Sequence, residues 1–472
     1  MNQAIIPEAK RLEGLDSAPD AFTVPVATGM GRRVLFLAGP VLVEQVLLYL
    51  VGLSDTILTG RYLSEQDLAA VAVGTYLLWF LGSLMTVVSV GATALVARLT
   101  GAGDPAGANR ICQQAVGLAL IFGVAMVAVG EILAPALIRA LNLEGAAAVS
   151  ATVFLRILLL ITPLLAATVS GVACLRGVGD TRTGMWVMLG VNIVNVALSW
   201  MLVRGWGTVP SLGFPGIAIG TATGEGLGGL VVLIILARGR SGLRLDLSGM
   251  IPRRGLSWRI LRISLPAAGE SLTNVACQLW FLGLINRLGA TSTAAHGVAI
   301  RCEALAFLTV TAFSIAGGTL TGQYLGARRP DLASLAARTA WGMGVGVLVV
   351  LGAVLYFGAD AMFAVFLGGR QPAVALEGVP VLRIVAFALP FLSTMNVLTG
   401  VLRGAGDTRW PWVIVLVGYL GIRLPLTYYL TDPTLGDLGL RGAWIAMFAD
   451  LAVRGVLVAA RFLQGGWKRA RV

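Results

Sequence analysis

The sequence predicts an all-α integral membrane protein of twelve transmembrane helices in two parallel six-helix repeats. Three observations lead there. Hydrophobic residues make up 57% of the 472-residue chain and charged residues 12%, with a mean hydropathy of +0.86; a soluble domain carries about 25% charged residues. Apolar runs of roughly 20 residues, enough to cross a ~30 Å hydrocarbon core, recur along the chain. The heptapeptide Leu-Arg-Gly-x-Gly-Asp-Thr occurs twice between such runs, at Leu175–Thr181 and Leu402–Thr408.

Residues 1–31 hold Pro7, Pro19 and Pro25 among mixed charges and read as a polar N-terminal tail. They lack the basic stretch and apolar core of a cleaved leader. Hydropathy then places spans near 34–59, 68–97, 112–138, 150–173, 184–203 and 215–237, an N-terminal lobe over 32–237. Arginines and glycines with Pro252 mark 238–259 as a linker. Spans near 260–286, 292–321, 332–368, 374–401, 411–430 and 439–462 make a C-terminal lobe over 260–462, and 463–472 is a basic tail. Pro40, Pro163, Pro266, Pro390 and Pro425 fall within these spans and permit kinks, because each removes a backbone donor.

The repeat extends beyond the heptapeptide. Pro40-x-x-x-Glu44 recurs as Pro266-x-x-x-Glu270, Arg156 and Pro163 recur as Arg383 and Pro390, Gly216 recurs as Gly442, and Glu225 falls near Asp450. Six spans per repeat set both copies the same way up, related by a pseudo-two-fold axis along the membrane normal, with a cleft between the lobes. Within each heptapeptide the glycines suit a tight turn and Asp-Thr an N-cap for the next helix, whether as a structural turn or as a gate hinge.

A net charge of +12 raises the question of nucleic acid, but its distribution answers it. With the N-terminus inside, twenty-two Arg and Lys fall in inner loops and tail ends. Only Arg61, Arg139, Arg204, Arg287, Arg370 and Arg441 fall outside. That asymmetry sets orientation and meets anionic lipid at the inner face. Cys112, Cys174, Cys277 and Cys302 form no CxxC pair and read as small packing residues. With one histidine, and no HExxH, DDxxD, nucleophile–histidine or Walker pattern, neither a membrane enzyme nor an ATP-driven pump is expected.

Several segments, taken in order over about 34–462, resemble bacterial members of the multidrug and toxin extrusion (MATE) family. They are Ser54-Asp55-Thr56, Leu68-Ala-Ala-Val-Ala-Val-Gly74, Val191-Asn192-Ile-Val-Asn195, Ala294-Ala-His296 with Arg301-Cys-Glu303, Gly322-Gln-Tyr-Leu-Gly326 and both heptapeptides. The resemblance implies a V-shaped bundle working as a secondary antiporter. It would export amphipathic, often cationic, organic compounds in exchange for protons or sodium ions, by alternating access between two lobes. It also implies a multi-pass protein of the inner (cytoplasmic) membrane with both termini cytoplasmic. The expected partners are small organic substrates and membrane lipids, for a monomer with no cofactor, resident metal or nucleic acid.

The resemblance also assigns candidate residues. Asp55 matches the family's ion-coupling aspartate of the first helix; a helix-end cap is the other reading. Asn192 and Asn195 match asparagines that hydrogen-bond near it. The family often has a second acid four residues after the second asparagine. Here Ser199 stands there, which leaves Asp55 alone and favours a proton over a metal cation. Glu44, eleven residues before Asp55, lies on the same helix face about 16 Å away, as a coupling group or a structural carboxylate. The sodium-coupled branch has a glutamate in helix seven and an aspartate in helix ten, which align with Asn274 and Leu392. An alternative C-lobe coupling site would use Glu270, Asn274, Glu303 and His296, with simple packing the other role for the histidine. Tyr49, Tyr76 and Trp280, with Trp79, Phe80 and Phe281, are candidates to line the substrate cleft. Arg156, Arg301 and Arg383 are expected to pair with acids on other helices. The alternative function is a lipid-linked oligosaccharide flippase of the wider superfamily, which arginines facing the cleft would favour.

Overall fold

The computed structural model describes residues 29–140, 145–207, 210–369 and 371–470, so the tail expected over 1–31 lies almost wholly outside it. Apart from isolated bridge positions at Trp206, Arg240 and Leu243, the regular structure among the described residues is helical. The first six spans are α1 (Met30–Tyr62), α2 (Glu65–Gly101), α3 (Pro105–Ala140), the pair α4 (Gly145–Leu160) and α5 (Thr162–Val178), α6 (Arg182–Arg204) and α7 (Phe214–Arg238). A short α8 (Leu247–Met250) lies in the linker. The second six are α9 (Arg254–Arg287), α10 (Ala290–Gly326), α11 (Pro330–Leu367), α12 (Pro372–Gly404), the interrupted span α13 (Arg409–Leu416) to α14 (Leu424–Thr431), and α15 (Gly439–Gln464). Among the described residues ten helices are long and apolar enough to cross a membrane, and the bent pair α4–α5 makes an eleventh span. The twelfth, α9, has 34 residues but carries Arg262, Glu270, Asn274 and Gln278.

Two spans depart from the simple rods the sequence predicted. The fourth breaks at Ile161 with a bend of 56°. Pro163 has no N–H for the Leu159 carbonyl and its ring crowds that turn. At the break the Leu158 oxygen accepts from the Ile161 N–H and from the Thr162 hydroxyl, at 3.2 Å each. The eleventh span contains a π-helical segment, Val417–Arg423, ending just before Pro425. A proline there removes the N–H that would close an α-turn onto Gly421, and a wider turn takes its place.

The two halves meet at the end that carries the heptapeptides and separate at the other. The opening turns of α1 cross over to the second half: Val34, Leu37, Ala38 and Val41 pack with Phe313, Leu320, Val401 and Ile414. The opening turns of α9 cross the other way, with Ile260 and Ile263 packed among Val88, Ala92 and Leu95. Polar contacts follow the same seam. The Ser264 hydroxyl accepts from the Gly91 N–H at 2.8 Å, Gln323 Nε2 donates to the Gly177 oxygen at 3.0 Å, and Arg98 Nη1 donates to the Ala470 oxygen at 2.8 Å. Toward the far end the cores separate into one built from α1 to α7 and one built from α9 to α15. The linker is tied to the first half by buried Gln114. Its amide donates to the Gly249 and Ile251 oxygens at 2.7 Å each, and its Oε1 accepts from the Arg253 N–H at 2.7 Å.

Candidate functional site

An ionisable side chain at bilayer depth needs a partner, an ion or water, so the buried charges locate the candidate chemistry. The first cluster lies within the N-terminal half. Asp55 of α1 is 2% exposed. Its two oxygens accept from Asn195 Nδ2 of α6 at 3.2 Å and from the Thr221 hydroxyl of α7 at 2.7 Å. Asn195 Nδ2 also reaches the Thr221 oxygen at 2.9 Å, and the Ser54 hydroxyl donates to Asn195 Oδ1 at 3.1 Å. None of these partners is basic. Glu225, buried one turn after Thr221 on α7, is close enough for its charge to act on Asp55. With Ser199 in place of an acid, α6 adds no second carboxylate beside Asp55, but α7 does, and Asp55 is therefore not alone. Asn192 does not touch Asp55. Its amide donates to the Leu47 and Met188 oxygens at 2.9 Å each and ties α6 to α1. Ser199 is fully buried one turn beyond Asn195, with no hydrogen-bond partner for its hydroxyl.

The second cluster lies within the C-terminal half and has the opposite character. Asp450 of α15 is fully buried beside two arginines that are each 2% exposed. Arg454, one turn on, donates to it at 2.5 Å, and Arg423 from the π-helical segment lies 4.0 Å away. Arg423 sits over the Phe281 ring at 4.2 Å and donates to Gln278 Oε1 at 3.3 Å. Arg454 sits over the Tyr419 ring at 4.4 Å, and the Tyr419 hydroxyl donates to Asn274 Oδ1 at 2.7 Å. Gly418 makes this possible, because a side chain there would occupy the space taken by Asp450 and Arg454. Half-buried Glu303 and buried His296 both lie within coulombic reach of Arg423. His296 is wedged between the Phe281 and Trp444 rings, at centroid distances of 5.8 and 5.4 Å. Asn274, Glu303 and His296 are therefore brought together, around two arginines that the sequence reading did not single out. Their signal was present: each is a charged residue inside an apolar span.

Glu44 and Glu270 belong to neither cluster. Each forms an ion pair with the arginine of its own half's heptapeptide, Arg176–Glu44 at 2.8 Å and Arg403–Glu270 at 2.9 Å. The heptapeptide aspartates complete a second repeated pair, Asp180–Arg240 at 2.8 Å and Asp407–Arg461 at 2.7 Å. Each heptapeptide thus ties the first span of its half to α15 in the second half and to the stretch just beyond α7 in the first. Gly179 and Gly406, at φ +95° and +87°, make the turn that only glycine adopts without strain. The cap on α6 comes from Asp180, whose Oδ1 accepts from the Thr183 N–H at 3.1 Å. Burial works against its charge, but Arg240 and Thr183 outweigh it and hold the Asp180 carboxyl below the ordinary carboxylate range. The pair's stabilisation is therefore present above the free aspartate's pKa and is lost only as pH falls through the lower folded value. Glu44→Ala and Glu270→Ala are each expected to destabilise by about 3 kcal/mol, since either leaves a largely buried arginine unpaired. Thermal unfolding of the purified protein reads this. Adding Arg176→Ala to Glu44→Ala should cost little more, and full additivity would rule out the pairing.

The remaining candidates are more scattered. Trp280 is half-buried and donates from Nε1 to the Tyr428 hydroxyl at 3.1 Å. Tyr49 is exposed on α1, roughly 120° around the helix from Asp55. The Tyr76 side chain lies outside the described ones. Arg156 pairs with Glu131 at 3.3 Å and Arg383 with Asp360 at 2.8 Å, while Arg301 is exposed. The four cysteines are buried and unbridged, and no group of three or more metal-binding side chains occurs among the described residues.

Comparison with known proteins gives one answer at three levels. The MatE family model matches twice, over 40–201 and 266–429. A probable multidrug resistance protein NorM of Thermotoga maritima is 30% identical over 93% of this chain and 94% of its own length. Multidrug resistance protein PmpM of Pseudomonas aeruginosa is 27% identical over 91% and 90%. A solved structure of a multidrug resistance MATE family transporter in its outward-facing conformation shares the fold at a TM-score of 0.85 and 20% identity, covering 94% of this chain and 97% of that one. With both halves matched, and a relative aligned over nearly its whole length, this multi-pass membrane protein belongs to the MatE family of multidrug and toxin extrusion transporters.

Proposed function

We propose that the protein is a secondary antiporter that exports amphipathic, often cationic, organic compounds in exchange for protons. The observation that carries this reading is the buried Asp55, held by Asn195 and Thr221 beside Glu225 with no basic partner. A carboxylate so placed is neutralised inside the membrane by the ion it exchanges. Taking up a proton asks only that the Thr221 hydroxyl turn from donor to acceptor at one Asp55 oxygen, whereas a hard metal cation asks for six or more oxygen ligands. In this reading the lobes over 32–237 and 260–462 rock about the seam, and the heptapeptide end faces the cytoplasm of a cell with an inner membrane. The arginine-rich loops at that end support the orientation. Arginines facing the cleft would favour the flippase reading, whereas Arg423 and Arg454 are buried against Asp450.

The test is ethidium efflux from proteoliposomes under an imposed pH gradient or an imposed sodium gradient. Efflux should follow the pH gradient and collapse with an uncoupler. Efflux that persists under the uncoupler and follows sodium would overturn the proton assignment.

A further inference from the structure

A cavity of about 460 Å³ opens at the seam between the opening turns of α1, the turn after α5 and the last turns of α10. Its walls include Arg32, Arg33, Phe36, Val178, Leu320 and Gln323. Arg32 is exposed, while Arg33 is partly buried with its Nη1 shielded from solvent and without a hydrogen-bond partner. A third guanidinium, Arg182, lies over the Phe36 ring at 4.6 Å. Among the described residues no acidic side chain lines the cavity, and Asp180, next in sequence to the lining Gly179, is engaged by Arg240. The first N–H groups of α1, which have no acceptor within their own helix, add fixed donors at the same place. The lining therefore combines cationic donors with the apolar side chains of Phe36, Leu37, Val178 and Leu320.

We propose that this cavity binds the phosphate headgroup of an anionic phospholipid and that the bound lipid holds the two halves closed at this end. Guanidinium groups match phosphate oxygens in geometry as well as charge. The apolar wall continues onto exposed Leu35 and Phe36, over which acyl chains can run. The inner leaflet that supplies such lipids is at this end if the orientation given above holds. The cavity is shared between halves: α1 and α5 belong to the first, α10 to the second, and the Gln323–Gly177 hydrogen bond crosses beside it. Separating the halves here splits the site, so a ligand that binds it favours the closed arrangement by its full differential affinity.

The experiment is native mass spectrometry of the purified full-length protein equilibrated with phosphatidylglycerol or phosphatidylcholine, which does not depend on transport. Wild type should retain phosphatidylglycerol at least tenfold over phosphatidylcholine. Arg32→Gln/Arg33→Gln should lose that preference, while Arg338→Gln, an exposed arginine at the same end, keeps it. Equal retention of the two lipids, or an unchanged preference in the double variant, overturns the proposal. Displacement of the lipid by millimolar inorganic phosphate would assign the site to free phosphate and overturn the lipid source. A spin-label pair across the far end gives the second readout. Phosphatidylglycerol should shift wild type toward the longer distance and leave the double variant unmoved, and an equal shift in both overturns the closing role.

Discussion

Asp55→Asn is expected to abolish gradient-driven efflux while the protein still reaches the membrane and unfolds within a few degrees of wild type. The substitution keeps the shape and one acceptor but removes the group that carries the exchanged ion. It also sets an amide against the Asn195 amide that now donates to Asp55, a cost of about 1–2 kcal/mol for one misplaced donor. Efflux should fall to the level of empty vesicles at every imposed pH difference. Glu225→Gln separates the two acids: it should weaken the dependence on the gradient without eliminating transport, because Asp55 keeps its hydrogen-bond partners. If Asp55→Asn exports at the wild-type rate, the coupling group lies elsewhere, and Glu225 and Glu303 are the next to exchange.

Asp450→Leu should be the most damaging single change to stability. It leaves Arg423 and Arg454, both 2% exposed, without the carboxylate between them. Breaking a buried ion pair from one side costs about 3–5 kcal/mol, a large part of the 5–15 kcal/mol that typically separates folded from unfolded states. Size-exclusion profile and melting temperature both read the loss. Adding Arg454→Met should recover part of it, because charge rather than shape is at fault. A variant Asp450→Leu as stable as wild type would show that the arginines are neutralised in some other way.

Architecture was legible because membrane insertion writes it directly into composition. Twelve spans and their parallel repeat follow from run length and from a duplicated heptapeptide, since each span must satisfy its own backbone. The bends were less legible. Pro163 and its repeat mate Pro390 look alike in sequence, yet α5 starts afresh beside Pro163 while α12 runs through Pro390 unbroken. Of the candidate site, Asp55 and Asn195 do meet, but the Thr221 and Glu225 contributions come from about 170 residues away, and no local pattern reports such a contact. Glu44 shares a helix face with Asp55, as the helical spacing predicted, but helical spacing says nothing of the Arg176 that waits opposite. The repeat did hold that information. Pro-x-x-x-Glu and Leu-Arg-Gly-x-Gly-Asp-Thr are duplicated together because they touch each other in both halves.

The π-helical turn between α13 and α14 sets the two halves apart. Such a turn accommodates one residue more than the α-helix it interrupts, and its counterpart α6 runs from Arg182 to Arg204 without one. The wide turn takes up about one extra residue within itself, so the helix on either side of it keeps its facing while the residues inside it do not follow the plain α-helix of the first half. Arg423 lies at the end of that turn. A single wide turn thus lets two matching spans end in different electrical surroundings, and deleting one residue within Val417–Arg423 is expected to draw Arg423 away from Asp450.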